Sequence, residues 1–314
     1  MSKAFVFPGQ GAQTIGMGRA LAEAYPQAQA VFDEVDDALG ERLSTLIWEG
    51  EQDALTLTEN AQPALMATSL AAMRALEAEG VTVQAAAMVA GHSLGEYSAL
   101  AAAGALSVAD CARLLRVRGR AMQAAVPVGE GAMAAILGLD LAAVRELAEE
   151  AAQDGICQAA NDNDPAQVVV SGQAKAVARA VELAKEKGAK RAMLLPVSAP
   201  FHCAMMQPAA EAMQAALAEV TITAPAVPVV ANVVATAVSD PEVIRRLLVD
   251  QVTGAVRWRE SVAYMGAQGV TEIWEIGAGK ALIGMVRRID RDIATRAVGG
   301  PDDVKAAAGI ATAD

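Results

Sequence analysis

Residues 88–100 read MVAGHSLGEYSAL. An apolar run over 85–90 ends at Gly91, a helix-forming run follows Gly95, and Ser93 stands between the two glycines. A continuous apolar run ending in glycine suits a strand covered on both faces. Strand, G-x-S-x-G and helix together make the pattern of a nucleophile elbow. The reason is steric. The sharp turn strains the serine backbone, and side chains two residues either side of it would collide, so glycine is needed at both places. Such a turn lifts Oγ above the sheet edge and points the free N–H groups of the helix start at any oxyanion that forms there.

Outward from this turn, strands alternate with helices. Residues 3–7 read as a short buried strand stopped by Pro8-Gly9. Helical stretches are expected over about 16–40 and 62–80 with a loop near Gly50, then from the elbow to Gly104, and from a Ser107 cap to about Ala125. "AMAAILGL", a helix from about 141, "AQVVVSG", a helix over about 175–187 and "KRAMLLPV" form a strand–helix–strand–helix–strand series. That series predicts a small α+β subdomain over 128–196, set into a parallel α/β core formed by 1–127 and 197–314. "VPVVANV" and "TEIWEIG" read as further core strands, the latter as the last. The tail after about Pro301 is Ala- and Asp-rich and is assigned no element.

Bulk properties narrow the function. The 314 residues are 54% hydrophobic, with a formal charge of −12. Length and apolar content allow a large core. The acidic balance argues against non-specific nucleic-acid binding. No signal-peptide pattern opens the chain and no run of about 18 uncharged apolar residues spans a membrane. Cys111, Cys157 and Cys203 include no C-x-x-C, which speaks against a disulfide scaffold or a zinc site and fits a reducing, cytoplasmic setting. No metal or cofactor is expected.

A serine nucleophile needs a base, and the chain has two histidines. His92 adjoins Ser93, where neighbouring side chains diverge, so it reads as a structural residue bonding within its own loop. His202, in "PVSAPFHCAMM", is the candidate base. No acidic residue occupies an evident third position. Cys203 reads as a small packed hydrophobe. On the helix "VADCARLLRVRGRAMQAA", at about 100° per residue, Arg118 falls at the centre of the stripe Cys111, Leu114, Leu115, Ala121, Met122 and Ala125. A core-facing guanidinium demands a partner, either an internal acid or a ligand carboxylate held by its planar fork. Arg113, Arg116 and Arg120 fall on the opposite face and read as solvated. "PGQGAQTIGMG" fails as a nucleotide loop: Thr14 stands where G-x-G-x-x-G needs its third glycine, and Met17 where a P-loop needs lysine. It reads instead as a turn whose N–H near Gln10 faces the serine.

"FVFPGQGAQ", "TENAQPAL", "AGHSLGEYSAL", "RLLRVRGRAMQ", "GAMAAILGL", "PAQVVVSG", "KRAMLLPVSAPFH" and "WEIGAGKAL" resemble, in order and over about residues 4–290, the malonyl-CoA:acyl-carrier-protein transacylases of dissociated fatty-acid synthesis. The resemblance implies an α/β-hydrolase-like core with an inserted ferredoxin-like subdomain. It implies Ser93 as nucleophile, His202 as base, Arg118 as the malonyl-binding cation, and backbone N–H groups of Gln10 and Leu94 as oxyanion donors. It implies a main-chain carbonyl near Gln251 as the group that orients the histidine. Gln62 and Asn161 match polar positions of the cleft, and Phe201 beside the base is placed to crowd a larger acyl group. Asp164 in "NDNDP" and Ala278 between Gly277 and Gly279 depart from the family's usual serine and proline.

The implied partners are malonyl-CoA and holo acyl carrier protein, with the chain a monomer. Both substrates are anionic, so Arg113, Arg116, Arg120, Lys185, Lys187, Lys190 and Arg191 are candidates for a cationic rim. The competing readings are a serine esterase or thioesterase, an acyltransferase of a polyketide-type pathway, and a silent carrier-protein-binding module.

Overall fold

The structure is a computed structural model that describes residues 2–153 and 155–309. Its core is a six-stranded sheet of order β10-β9-β1-β2-β7-β8. The strands are β1 (Ser2–Phe7), β2 (Met88–Gly91), β7 (Val229–Ala231), β8 (Thr236–Val238), β9 (Val270–Ile276) and β10 (Ala294–Val298). All pairings are parallel except β7 with β8. Phe5, Phe7, Val89 and Ala90 are fully buried, as a parallel sheet covered on both faces requires.

A second sheet, of order β4-β5-β3-β6, is wholly antiparallel. It comprises β3 (Gly131–Leu137), β4 (Cys157–Asp164), β5 (Gln167–Gln173) and β6 (Arg191–Leu194), with α8 (Leu141–Ala152) and α9 (Ala174–Glu186) between them. The resulting βαββαβ connection is the ferredoxin-like one. The expected fold class therefore holds, but β4 is absent from the sequence reading. Its residues, CQAANDND, look like a polar loop; Ala160 to Asp164 are nonetheless buried, because the strand is wedged between its own sheet and the core. Asn161 bridges Val256, and Asp162 and Asp164 pair with Arg259 and Arg288 of the core at 2.8 and 2.7 Å. "TEIWEIG" is likewise not the last strand, since β10 closes the sheet edge beyond it.

The N-terminal helices are α1 (Arg19–Ala24), α2 (Pro26–Leu39), α3 (Leu43–Glu49), α4 (Gln52–Thr56) and α5 (Thr58–Ala78). Pro26 at the first position of α2 divides the single stretch expected over 16–40. Two helices frame the elbow: α6 (Gly95–Ala102) and α7 (Val108–Ala124). Ser107 caps α7 by accepting from the Asp110 N–H. The core continues with α10 (Gln207–Ala218), α11 (Pro241–Thr253), α12 (Trp258–Ala267), α13 (Ala281–Ile289) and α14 (Pro301–Ala307). The helix α14 orders part of the tail to which the sequence assigned no element; residues 310–314 lie outside the described ones.

The helix α7 packs against α2, α5 and α10, so more than one of its faces is covered. That corrects the reading of Arg116. It is 6% exposed, not solvated, and donates to the Glu59 carbonyl and to Asn60 Oδ1, with Glu41 as its acid. Arg113 and Arg120 are exposed but paired with Asp110 and Glu59, and Lys185 and Lys187 with Glu182 and Glu150. Five of the seven rim candidates thus have an acid beside them. Among the described residues, no helix is long and apolar enough to cross a membrane.

Candidate active site

The elbow has the steric logic its sequence requires. Ser93 holds φ 55°, in the left-handed region that costs a non-glycine residue of order 1–3 kcal/mol. A Cβ on Gly91 would lie 1.9 Å from the Gly95 backbone, and one on Gly95 would lie 2.2 Å from the Phe7 carbonyl oxygen. Asn232, just past β7, fastens the turn. Its Oδ1 accepts the Ser93 N–H at 2.8 Å and its Nδ2 donates to the Gly91 carbonyl at 2.7 Å.

Ser93 Oγ lies 2.7 Å from His202 Nε2. The other ring nitrogen, Nδ1, sits 2.9 Å from the Gln251 carbonyl oxygen and 3.1 Å from that of Gly254. Two carbonyls can only accept, so Nδ1 carries the hydrogen and Nε2 is left to take the serine proton. Burial, and next the nearby Arg118 cation, push the His202 pKa down to about 3. The imidazole is therefore neutral throughout the ordinary pH range, with Nε2 able to accept a proton.

Arg118 is 1% exposed. Its Nη1 donates to Gln62 Oε1 at 2.7 Å, and its Nη2 donates to Gln251 Oε1 at 2.8 Å and to Ser93 Oγ at 3.2 Å. Nε has no partner. No carboxylate among the described residues comes within ion-pair distance of this guanidinium. The choice left open by the sequence, internal acid or ligand acid, is thereby narrowed: two neutral amides hold the fork, two of its five N–H groups stay unused, and the Ser93 hydroxyl is adjacent.

These groups meet at a cavity of about 510 Å³. Gln10, Gln62, Ser93, Leu94, Arg118, Asn161, Phe201 and His202 all border it, so the structure brings together every residue singled out there; Gln251 stands behind, fully buried. The second sheet contributes Met133, Ala135 and Val169 to the lining. The backbone N–H groups of Gln10 and Leu94 donate to no protein acceptor among the described residues. The Gln10 side chain is fixed by a run of bonds, Gln62 Nε2 to Thr58 Oγ1 and Thr58 Oγ1 to Gln10 Oε1, each 2.9 Å. Two unspent N–H groups beside a hydroxyl–imidazole pair are what an acyl-transfer oxyanion needs.

One expectation is corrected. His92 does not bond within its own loop; its Nε2 reaches Asn163 Oδ1 on β4 at 2.9 Å, and its ring lies 5.9 Å from that of Trp258. The loop's neighbour in space is the second sheet, which the turn sequence has no means of encoding. Two residues that sequence reasoning passed over also matter: Asn232 and Glu96. Each had a signal, a polar residue inside the apolar run "VPVVANVV" and an acid at the start of the otherwise apolar α6. Glu96 is 2% exposed, and its Oε2 accepts the Asn232 N–H at 3.0 Å and Gln251 Nε2 at 2.8 Å.

The acyl transferase domain family matches residues 4–289 of this chain. The malonyl CoA-acyl carrier protein transacylase of Bacillus subtilis is 48% identical over 309 residues, which cover 98% of this chain and 96% of that protein. Its counterpart in Escherichia coli strain K12 is 47% identical over 97% of this chain and 98% of its own length. The crystal structure of an acyl-carrier-protein-S-malonyltransferase from Bartonella henselae superposes with a TM-score of 0.96 at 58% identity, covering 99% of this chain and 100% of that one. A malonyl-transacylase solved in complex with its type II PKS acyl-carrier protein is 41% identical, with a TM-score of 0.95 over 98% of this chain and 99% of that one.

Proposed function

This chain belongs to the acyl transferase family, and from that premise we propose that it moves a malonyl group from malonyl-CoA to the phosphopantetheine thiol of acyl carrier protein through a malonyl-serine intermediate. The observation that carries the substrate reading is Arg118: a buried cation 3.2 Å from the serine hydroxyl, with no acid at contact and its Nε–H unused. A malonyl group brings its thioester carbonyl and a carboxylate a few ångströms apart. An acetyl group brings only the first and leaves the guanidinium without an ionic partner.

In this mechanism His202 Nε2 takes the proton as Ser93 Oγ attacks the thioester carbonyl. The oxyanion settles on the N–H groups of Gln10 and Leu94, each such donor being worth about 3–4 kcal/mol in comparable sites. The tetrahedral intermediate collapses, the C–S bond breaks, and CoA leaves as the thiol with the histidine's proton. The carrier's thiol then attacks the malonyl ester and the steps run in reverse. The carbonyls of Gln251 and Gly254 hold the imidazole and accept its Nδ1–H as positive charge develops on the ring. Residues 1–127 and 197–314 supply the nucleophile and base, and 128–196 roofs the cavity. We place the reaction in fatty-acid synthesis in the cytoplasm, where three unpaired cysteines accord with a reducing setting.

Intact-mass spectrometry after brief mixing with malonyl-CoA and, in parallel, acetyl-CoA tests the proposal. A malonyl adduct on Ser93 that is stable without acceptor and discharged by holo carrier protein supports it. Rapid hydrolysis without acceptor points to an esterase, and no adduct at all points to a binding module; either result overturns it.

A further inference from the structure

The site contains a buried acid that the mechanism above does not use. Glu96 lies one amide away from Arg118. The guanidinium Nη2 donates to Gln251 Oε1 and the same amide's Nε2 donates to Glu96 Oε2, both at 2.8 Å. The amide is thus oriented by charge at both ends, its oxygen toward the cation and its nitrogen toward the acid. The fully buried Gln251 has no freedom to turn without breaking both bonds and a third, to the Ser93 carbonyl at 3.0 Å.

We propose that Glu96 is the resident counter-charge of Arg118, and that arrival of the acyl carboxylate on the guanidinium is coupled to uptake of one proton by Glu96. The inference rests on the malonyl-transfer reading of the site. Its physical basis is charge balance in a place that water screens poorly. One cation can neutralise one anion there, and a second carboxylate beside it raises the cost of keeping the first ionised. Glu96 is built to accept a proton without rearrangement. Both of its donors, Asn232 N–H and Gln251 Nε2, address Oε2, which leaves Oε1 outside those two bonds.

The surroundings agree. Burial raises the Glu96 pKa to about 7, against the lowering effect of Gln251, Asn232 and Arg118, so the acid is poised to exchange a proton near neutrality. The other titratable groups packed around the network do not change charge there. Tyr97 on α6 and Cys111 on α7 are held neutral by burial, which raises both. The pKa values of His92 and His202 are lowered by burial, leaving the imidazoles neutral. From α11, Asp250 is exposed while Gln251 faces inward.

Glu96 is on this account a positioning residue that acts through Gln251, and its signature is a proton count. In weakly buffered solution near pH 8, where the free acid is mostly ionised, with an indicator dye, mixing with malonyl-CoA should remove up to about one proton per site, while acetyl-CoA removes none. In the same chain kcat/KM for malonyl-CoA should fall up to about tenfold per pH unit above neutrality, with no such slope for acetyl-CoA. Glu96→Gln, which keeps an acceptor oxygen but cannot titrate, should abolish both the uptake and the slope. Equal proton counts for the two acyl-CoAs, or uptake that persists in Glu96→Gln, would overturn the proposal. If the variant does not fold, the malonyl–acetyl comparison in the unaltered chain decides alone. Mass analysis of the same samples separates the two levels: a malonyl adduct without proton uptake defeats only the role of Glu96, whereas no adduct defeats the transfer reading and this inference with it.

Discussion

Ser93 and His202 both adopt left-handed backbone conformations, φ 55° and 58°, and their side chains meet at 2.7 Å. Neither residue tolerates that region for free, and both are held by the framework around them. The serine N–H is tied to Asn232, and the imidazole is tied to two carbonyls at the C-terminal end of α11. That framework keeps the hydroxyl and imidazole in contact before substrate arrives, which is where a preorganised site gains its rate.

The elbow tolerates no added methyl. Gly91→Ala would place a Cβ 1.9 Å from the Gly95 backbone, and backbone on both sides leaves no route of relief. We expect it to cost more than about 4 kcal/mol and to abolish acylation. Thermal unfolding monitored by circular dichroism, together with intact mass after malonyl-CoA, checks both; a native melting temperature would show that the turn can relax.

Arg118→Ala should reverse acyl preference. Losing the guanidinium removes the ionic partner of a malonyl carboxylate, a loss of about 2–5 kcal/mol, or some 30-fold to several-thousand-fold in kcat/KM. Acetyl-CoA gains no partner and loses none, so its share of the adduct should rise. Competition between the two acyl-CoAs in one reaction reads the ratio directly, and unchanged malonyl kinetics would remove Arg118 from the substrate site.

The acid limb of activity should sit unusually low. An ordinary histidine base is lost by protonation as pH falls through about 6.5. The folded-state value for His202 is pushed down to about 3, so the free base persists below that point and fails only as pH falls toward 3. With acetyl-CoA, which carries no carboxylate to engage Arg118, kcat/KM should stay flat from pH 8 to about 5. A midpoint near 6.5 would mean that the imidazole is better solvated than its 4% exposure implies.

Two arginines three residues apart on α7 should behave differently. Arg116→Ala leaves the Glu59 carbonyl and Asn60 Oδ1 without the buried donor they share, Glu41 being solvated, and should cost about 1–3 kcal/mol. Arg113→Ala removes an exposed pair with Asp110 and should cost no more than about 0.5 kcal/mol. Urea midpoints measured side by side distinguish the two. Salt titration of the carrier-protein KM in the same variants should show that neither supplies the docking charge.

The sequence alone determined what short range controls. Ser93 between Gly91 and Gly95 is a steric statement about five residues. A guanidinium at the centre of an apolar helical stripe is a statement about one turn of periodicity. Both survive whatever the rest of the chain does. With only two histidines and one of them beside the nucleophile, His202 followed by elimination. What only the tertiary structure decided is what those groups touch. Arg118 is held by Gln62 and Gln251, 56 and 133 residues away, and His202 by a carbonyl 49 residues on. The buried strand β4 hid in a polar run because Asp162, Asn163 and Asp164 are satisfied by Arg259, His92 and Arg288 of the core. Arg116 hid on a face that a helical wheel calls solvent but that Glu41 and the start of α5 cover. Local pattern fixes which way a side chain points along its own element; the partner at the far end is set by how distant elements pack, and no window of sequence contains that.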